Sequence, residues 1–541
     1  MPIMLLVALP QEIVIHILSN LDYSSLLCCG STCRLLYEIC KDSLELQYII
    51  ELAIDGFKKP ITNAPHSELV SRLHNLRRSW AELDCKQFKK IELKNQCRAY
   101  ELVAGLFAMS DGHGLSLAWL PSSTMPGRSL EYPSLGFLVR DFAIDPTQDL
   151  IVILEDDHNP VVFADNRHVR LHIRTISTIE FHPAASHGIL EFDIPSDETF
   201  GNSISTALIE IAVDIVAMYI TKGFLSARSR VLIWNWRNGI LVYDSDVIGD
   251  ALPPTAHHFS LLSRDSFLLT VTYSGGTLQL HTFSPTSPTL SPTSLCGTFH
   301  LPPIQPHSNL FQMTVHTGPI SASHAAQCTF SNTPEAHVLV LTLFYSIAHR
   351  DDAPHSATYT LFVHKRTFLE YVTRFRRQQE VSLVHDGVEG TRTPSVDLDW
   401  ESWAEQSTRF IPTLSPRPWL RYVHGARVIF NYQNQQTFKV LNFNIPSSTS
   451  ISSTSTSSTS TSSTSIPAQH FDFEPHEEPT TGYPTYLFQK DFVTRLPYYS
   501  TTRRVEVEAE GGFYACMIDE ERVIGITMSD TDDMTLNVCA F

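Results

Sequence analysis

The 541-residue sequence predicts an α+β multidomain chain. An N-terminal three-helix module covers residues 1–56, a helical linker covers 57–97, and a mainly-β, propeller-like domain of six to eight blades covers 98–541. Three observations predict this order. Apolar residues near the start recur at three-and-four spacing, the period of one helix face. From about Gln96 the texture changes to short β-type runs separated by turns, several of them in pairs. A blade takes about 40–45 residues, so seven need about 300, and the rest of the chain leaves room for long loops.

The first helix starts at Pro10, whose missing N–H has no partner to lose at a first helical position. Glu12 lies in the first turn, where the helix dipole favours an acid. Pro10, Ile13, Val14, Ile17, Leu18 and Leu21 share one face. Asp22, Ser24 and Ser25 supply cap candidates for a second helix, which turns Leu26, Leu27 and Gly30 inward and ends near Thr32. A third helix begins around Cys33 and carries Leu36, Ile39, Ile49, Ile50 and Leu52, with a break near Asp42-Ser43. Helices this short expose more apolar surface than they can bury among themselves. An apolar partner groove would cover it.

The Leu9-Pro10-x-Glu12-Ile13 start, then Leu26-Leu27, Cys33-Arg34-Leu35-Leu36 and Leu44-Glu45-Leu46, resembles the F-box. That family docks a protein onto the Skp-type adaptor of a cullin-RING ubiquitin ligase. The resemblance implies adaptor contacts from Leu9, Pro10, Ile13, Ile17, Leu18, Leu21, Leu26, Leu27, Cys33, Arg34 and Leu36. Two departures stand out. Thr32 precedes Cys33 where the family often has Val-Cys before the Arg, and Leu36-Tyr37 stands where it often has Trp.

In the linker, Leu69, Leu73, Leu76, Trp80 and Leu83 recur at helix spacing from Ser67 to about Lys90, with Arg72, Arg77 and Arg78 outside. The β-domain then opens. Phe142 to Asp145, Pro146, and Asp149 to Val152 read as two opening strands of a blade. Ile204 to Thr221 is apolar but holds Glu210 and Asp214, so it reads as one or two buried strands and not a membrane span. Val231 to Gly239, with Trp234-Asn235-Trp236, resembles the strand and turn that end in Trp-Asp in WD40 repeats, with Asn in place of Asp. Trp234 and Trp236 share a strand face, which is read as core. The rival architecture is a pair of β-sandwich-like domains. Four-strand spacing without a sustained helical period favours the propeller.

Ser284 to Ser294, Gln378 to Pro394 and Pro446 to Pro467 read as long loops. The last is nearly pure Ser and Thr, cannot bury apolar surface, and is expected to be a disordered insertion. Arg374, Arg376 and Arg377 make a basic spot that could read an acidic or phosphorylated peptide. Residues 1–97 are neutral, so the net charge of −18 falls on residues 98–541. An acidic domain argues against general nucleic-acid binding. The ten scattered cysteines read as reduced thiols in a cytoplasmic and/or nuclear protein. Cys28, Cys29, Cys33 and Cys40 lack the paired spacing of a zinc site.

The sequence has no G-x-S-x-G, H-E-x-x-H, P-loop or complete G-x-G-x-x-G pattern. Gly112-His113-Gly114 reads as a turn, and the 24 histidines show no metal-ligand spacing. The expectation is a substrate-recognition subunit of a Skp–cullin–F-box ligase, with no catalytic residues, cofactor or metal of its own. Its expected partners are the adaptor with the cullin core and an unknown protein substrate, with neither nucleic acid nor membrane.

Overall fold

The computed structural model describes residues 9–60, 62–93, 96–122, 125–156, 166–195, 206–221, 229–248, 252–322, 330–347, 355–386, 394–413, 421–431, 437–445, 476–482, 487–504, 512–528 and 533–541. The Ser/Thr tract lies outside them.

The N-terminal module consists of α1 (Gln11–Leu18), α2 (Tyr23–Thr32), α3 (Arg34–Asp42) and α4 (Leu44–Asp55). The expected third helix is therefore two helices. They part at Ser43, whose extended backbone (ψ 113°) breaks the first and whose hydroxyl caps the second. Val14, Leu18, Leu26, Leu36, Ile39, Cys40 and Leu46 form the module's own small core. Gly56 closes α4 in the left-handed region (φ 67°).

The linker helix α5 runs His66–Glu82. It stops well short of Lys90 because Leu83 takes the left-handed conformation (φ 51°) and turns its side chain into the core. The expected helical linker to residue 97 is corrected further along. Gln87–Leu93 is a β-strand, and it pairs antiparallel with Met534–Ala540 in unbroken register. Arg77, expected to be solvated, instead bridges α5 to α4, 2.7 Å from Glu51 and 2.8 Å from Asp55.

Among the described residues the strands form seven four-stranded antiparallel blades, with a separate two-stranded sheet of Thr480–Gly482 and Phe492–Thr494. Blade 1 holds Ala99–Val103, Leu106–Ser110, Leu115–Trp119 and Arg128–Tyr132. Blade 2 holds Val139–Asp145, Leu150–Glu155, Asn166–Thr175 and Ile189–Pro195. Blade 3 holds Thr206–Ala212, Ile215–Thr221, Ser229–Asn235 and Ile240–Asp244. Blade 4 holds Ala256–Ser263, Ser266–Val271, Thr277–Thr282 and Ser294–His300, with Val396–Leu398 added in parallel at its outer edge. Blade 5 holds Ser308–His316, Val338–Ile347, His355–His364 and Thr408–Pro412. Blade 6 holds Val423–His424, Arg427–Asn431, Thr437–Asn442 and Tyr499–Arg504. Blade 7 holds Ala515–Ile518, Arg522–Met528 and Met534–Ala540, and takes Gln87–Leu93 from the N-terminal side as its outer strand. The closed ring removes the paired-sandwich alternative, and each blade keeps only short edges at the axis and the rim.

The core is a series of apolar layers between neighbouring blades. Val152, Leu171, Met218, Leu232, Trp234 and Trp236 fill the layer between blades 2 and 3. Middle strands are covered on both faces, so Leu150–Leu154 and Val231–Trp234 read as continuous apolar runs. Some outer strands are wet, as in Arg128–Tyr132, whereas Thr408–Pro412 is half covered. The Trp-Asn-Trp turn is held without the aspartate of the WD40 pattern. Asn235 donates to Asp214 at 2.9 Å, and Trp236 Nε1 donates to the Val213 carbonyl at 3.0 Å. Gly239 completes the turn at φ 73°, where an added Cβ would meet the His187 ring.

One long helix was not expected. α6 (Lys365–Asp386) leaves the third strand of blade 5 and lays Phe368, Val372 and Phe375 into the layer shared by blades 4 and 5. It replaces the first part of the loop expected from Gln378. A short helix, α7 (Trp400–Trp403), follows it.

The module is mounted on the ring. Tyr48 and Leu52 of α4, Phe57, and Leu69, Leu73 and Trp80 of α5 belong to one core cluster with Val338, Phe362, Val428 and Phe541. Phe57 bridges to Asn332, Asn444 donates to the Ile54 carbonyl at 2.8 Å, and Trp80 Nε1 donates to the Glu520 carbonyl at 3.3 Å. These contacts fall on connections between first and second strands or between third and fourth strands. The module therefore sits on one face of the ring. Trp80 is 4% exposed, meets Phe541 edge-on at 4.5 Å, and lies under the Arg427 guanidinium at 4.6 Å. Trp80→Ala is expected to cost about 3–5 kcal/mol. Chemical denaturation of the full chain checks this, and a loss below about 1 kcal/mol, the size of an ordinary surface change, would mean that the mount carries no stability.

Candidate docking face and axial cavity

α1 is apolar on two sides. Val14 and Leu18 point into the module, each 1% exposed, while Ile13 and Ile17 stand outside at 48% and 40%. The two isoleucines are one helical turn apart and so adjacent on the outer side. Pro10, next to them in sequence, is exposed and occupies the N-cap position, where its carbonyl accepts from Ile13 and Val14. A helix apolar all round is a buried helix. Here only one side is covered.

Two caps hold this geometry. Asn20 Nδ2 donates to the His16 carbonyl at 2.6 Å at the end of α1. Asp22 accepts from the Ser25 N–H at 2.8 Å and its hydroxyl at 3.1 Å, so of the three cap candidates Asp22 caps α2, and Ser24 and Ser25 lie in its first turn. These hydrogen bonds hold the Asp22 carboxyl below the usual carboxylate range.

The eleven residues expected at the adaptor surface divide into three groups. Pro10, Ile13, Ile17, Cys33 and Arg34 are exposed. Leu9, Leu21 and Leu27 are half-buried. Leu18, Leu26 and Leu36 are core residues, at 1%, 0% and 6% exposure. They support the outer face instead of forming it. Arg34 spends its guanidinium on Glu38, 2.8 Å away and one turn on. Sequence reasoning missed three exposed apolar side chains: Leu35, Tyr37 and Leu44. Helical phase could have found Leu35 and Tyr37. With Leu36, Ile39 and Cys40 inward, neither neighbour of Leu36 can share its direction.

A second convergence lies on the ring axis. Glu101, Asp145, Glu210, Thr317 to Ile320 and Arg421 line a cavity with room for about three water molecules. Arg421 clamps Glu101 across the axis with two bonds of 2.6 and 2.7 Å. Burial pushes the carboxyls of Glu210 and nearby Asp141 up to about 7, and the Lys365 ammonium down to about 8. Asp145 is spent on the turn after it, accepting from Thr147 and Gln148. Among the described residues, no group of three His, Cys, Asp or Glu side chains could hold a metal ion.

The arginines of the basic spot differ in their surroundings. Arg376 turns to Asp265 of blade 4 at 2.7 Å, while Arg374, 66% exposed, stands 3.9 Å from Glu370. Arg377 is exposed on the same helix. Trp234 and Trp236 are core, as read. No described helix is long and apolar enough to cross a membrane.

Residues 6–46 match the F-box-like family. No curated protein matches the chain. Solved structures resemble it at low identity. A polysaccharide lyase, Uly1, shares 9% identity at a TM-score of 0.36, over 82% of this chain and 90% of that one. The WD40 domain of SCAP from fission yeast shares 8% at 0.33, over 84% and 98%. The uncharacterised protein lmo1340 from Listeria monocytogenes EGD-e shares 9% at 0.27, over 66% and 95%. The propeller assignment rests on the strand pairing. The chain joins an F-box-like domain to a seven-bladed β-propeller.

Proposed function

We propose that this protein is the substrate-recognition subunit of a Skp–cullin–F-box ubiquitin ligase. The observation that carries the reading is the uncovered outer side of α1, with Ile13 and Ile17 exposed inside the segment that matches the F-box-like family. A Skp-type adaptor would cover that side. The propeller would hold a protein substrate on the face away from the module, where loops are free of the mount. Ubiquitin transfer would belong to other subunits. This chain would contribute position, holding a substrate at a fixed distance and angle from the transferring enzyme. An F-box-like domain fused to a propeller fits a non-enzymatic receptor. The acidic β-domain favours neutral or basic partners, and the protein would work in the cytoplasm and/or nucleus. Arg374 and Arg377 are a secondary proposal for substrate contact.

The second reading is a propeller scaffold that binds the adaptor outside any ligase. Mixing the purified full chain with adaptor, then with adaptor and cullin, separates the two on gel filtration. Co-elution of all three supports the ligase. An adaptor complex that excludes the cullin supports the scaffold. No adaptor complex at all would sink both.

A further inference from the structure

The ring is closed by strands that are far apart in the chain. Gln87–Leu93 comes just after the module's mounting helix, and Met534–Ala540 is the last strand. At one end of this closure, Cys85 and Cys539 are joined by a disulfide, with Cα atoms 5.3 Å apart and a separation of 454 positions in sequence. This corrects, for these two, the expectation that every cysteine is a free thiol. Seven other cysteines are free among the described residues.

We propose that the Cys85–Cys539 bond is a redox-controlled staple that locks the ring closure and, through it, the mount of the docking module. Three observations carry the inference. The Cα separation is one that a disulfide spans without moving the backbone. The two cysteines differ in access: Cys85 is half-buried in the connection after α5, whereas Cys539 is 3% exposed in the closing strand. The staple also lies where the mount meets the ring. Cys85 follows Trp80, which packs on Phe541, and Arg503 donates to the Glu82 carbonyl at 3.3 Å. A bond there ties α5 to the last strand directly, beyond the hydrogen bonds of the closing pair.

The chemistry balances with a low-molecular-weight disulfide of the glutathione type as oxidant. The Cys85 thiolate attacks that disulfide and releases one small thiol. The Cys539 thiolate then displaces the second small thiol from the mixed disulfide at Cys85. Two protein thiols are oxidised and one small disulfide is reduced to two thiols. Reduction runs the same path backward, with attack at the reachable sulfur of Cys85.

The test uses the purified full chain equilibrated across graded ratios of reduced to oxidised glutathione. Free thiols are alkylated, and the linked Cys85–Cys539 peptide is quantified by mass spectrometry. The melting temperature is read on the same samples. The proposal expects the linked fraction to rise with the oxidised share. It expects the melting temperature to rise with it by about 5 °C, because the cross-link constrains a very long stretch of unfolded chain. Cys85→Ser, at the more exposed position, should fold and melt at the reduced value under every ratio. No linked peptide in excess oxidised glutathione would overturn the proposal. So would equal melting temperatures for the two states, or a bond that no folded sample can lose to reduced glutathione.

Discussion

Replacing Ile13 and Ile17 together with Asp is expected to abolish the proposed adaptor binding while leaving the fold intact. The two side chains are 48% and 40% exposed, so the free protein loses little when they change. Burying an isoleucine in a partner groove contributes roughly 1.5–3 kcal/mol, and two carboxylates forced into that groove add a desolvation penalty. The dissociation constant should rise at least about a thousandfold, which is roughly 4 kcal/mol. The melting temperature should move by no more than about 2 °C, the scale of a surface substitution. Calorimetric titration with the adaptor and a thermal scan of the same sample check both halves. Leu26→Ala supplies the contrast. Leu26 is fully buried, so its loss should cost about 2–5 kcal/mol of module stability. Unchanged adaptor affinity in the double Asp variant would place the docking face elsewhere.

The second large effect is acid lability. Burial holds His258 down to about 3, and His281, His316, His364 and His424 down to about 4; His337 is also well below its ordinary value. These six rings are neutral in the fold, while the unfolded chain takes up protons near pH 6.5. Their contribution is complete above pH 6.5 and is lost as the pH falls from there towards 4. Asp141 and Glu210 work the other way, because each is held up to about 7 and keeps its proton where the unfolded chain has lost it. Asp55 is raised in the same way, while burial also lowers His172 and His257, so the depressed rings outnumber the raised carboxyls, and each uncompensated proton is worth about 1.4 kcal/mol per pH unit near pH 5. A typical domain has only about 5–15 kcal/mol in total. The fall in net negative charge opposes this, but it is spread over screened surface groups. The melting temperature should therefore drop steeply between pH 6.5 and 5, and the chain should unfold before about pH 4.5. A flat melting temperature from pH 7 to 5 would show that the buried histidines do not carry this linkage.

Local pattern was enough for every feature that a short window specifies. The Asp22 cap, the break at Ser43, the apolar face of α5, the opening strands of blade 2 and the paired strands within Ile204 to Thr221 are all decided by spacing and turn chemistry. The F-box-like start belongs to the same class, because its specific residues lie within a few turns of one another. What needed tertiary structure was every choice made by a distant partner. Gln87–Leu93 looks like the tail of a helix until Met534–Ala540 offers it seven paired positions. Arg77 looks solvated until Glu51 and Asp55 meet it from α4. α6 was legible in part, since Phe368, Val372 and Phe375 have helical spacing, yet the basic residues between them masked it as a loop. The exposed side of α1 was decided the same way. Ile13, Val14, Ile17 and Leu18 are nearly identical in chemistry, and only the packing of α1 on the other helices selects which pair is covered. Apolar periodicity names the residues that leave water, and contact with the rest of the chain decides which of them remain for a partner.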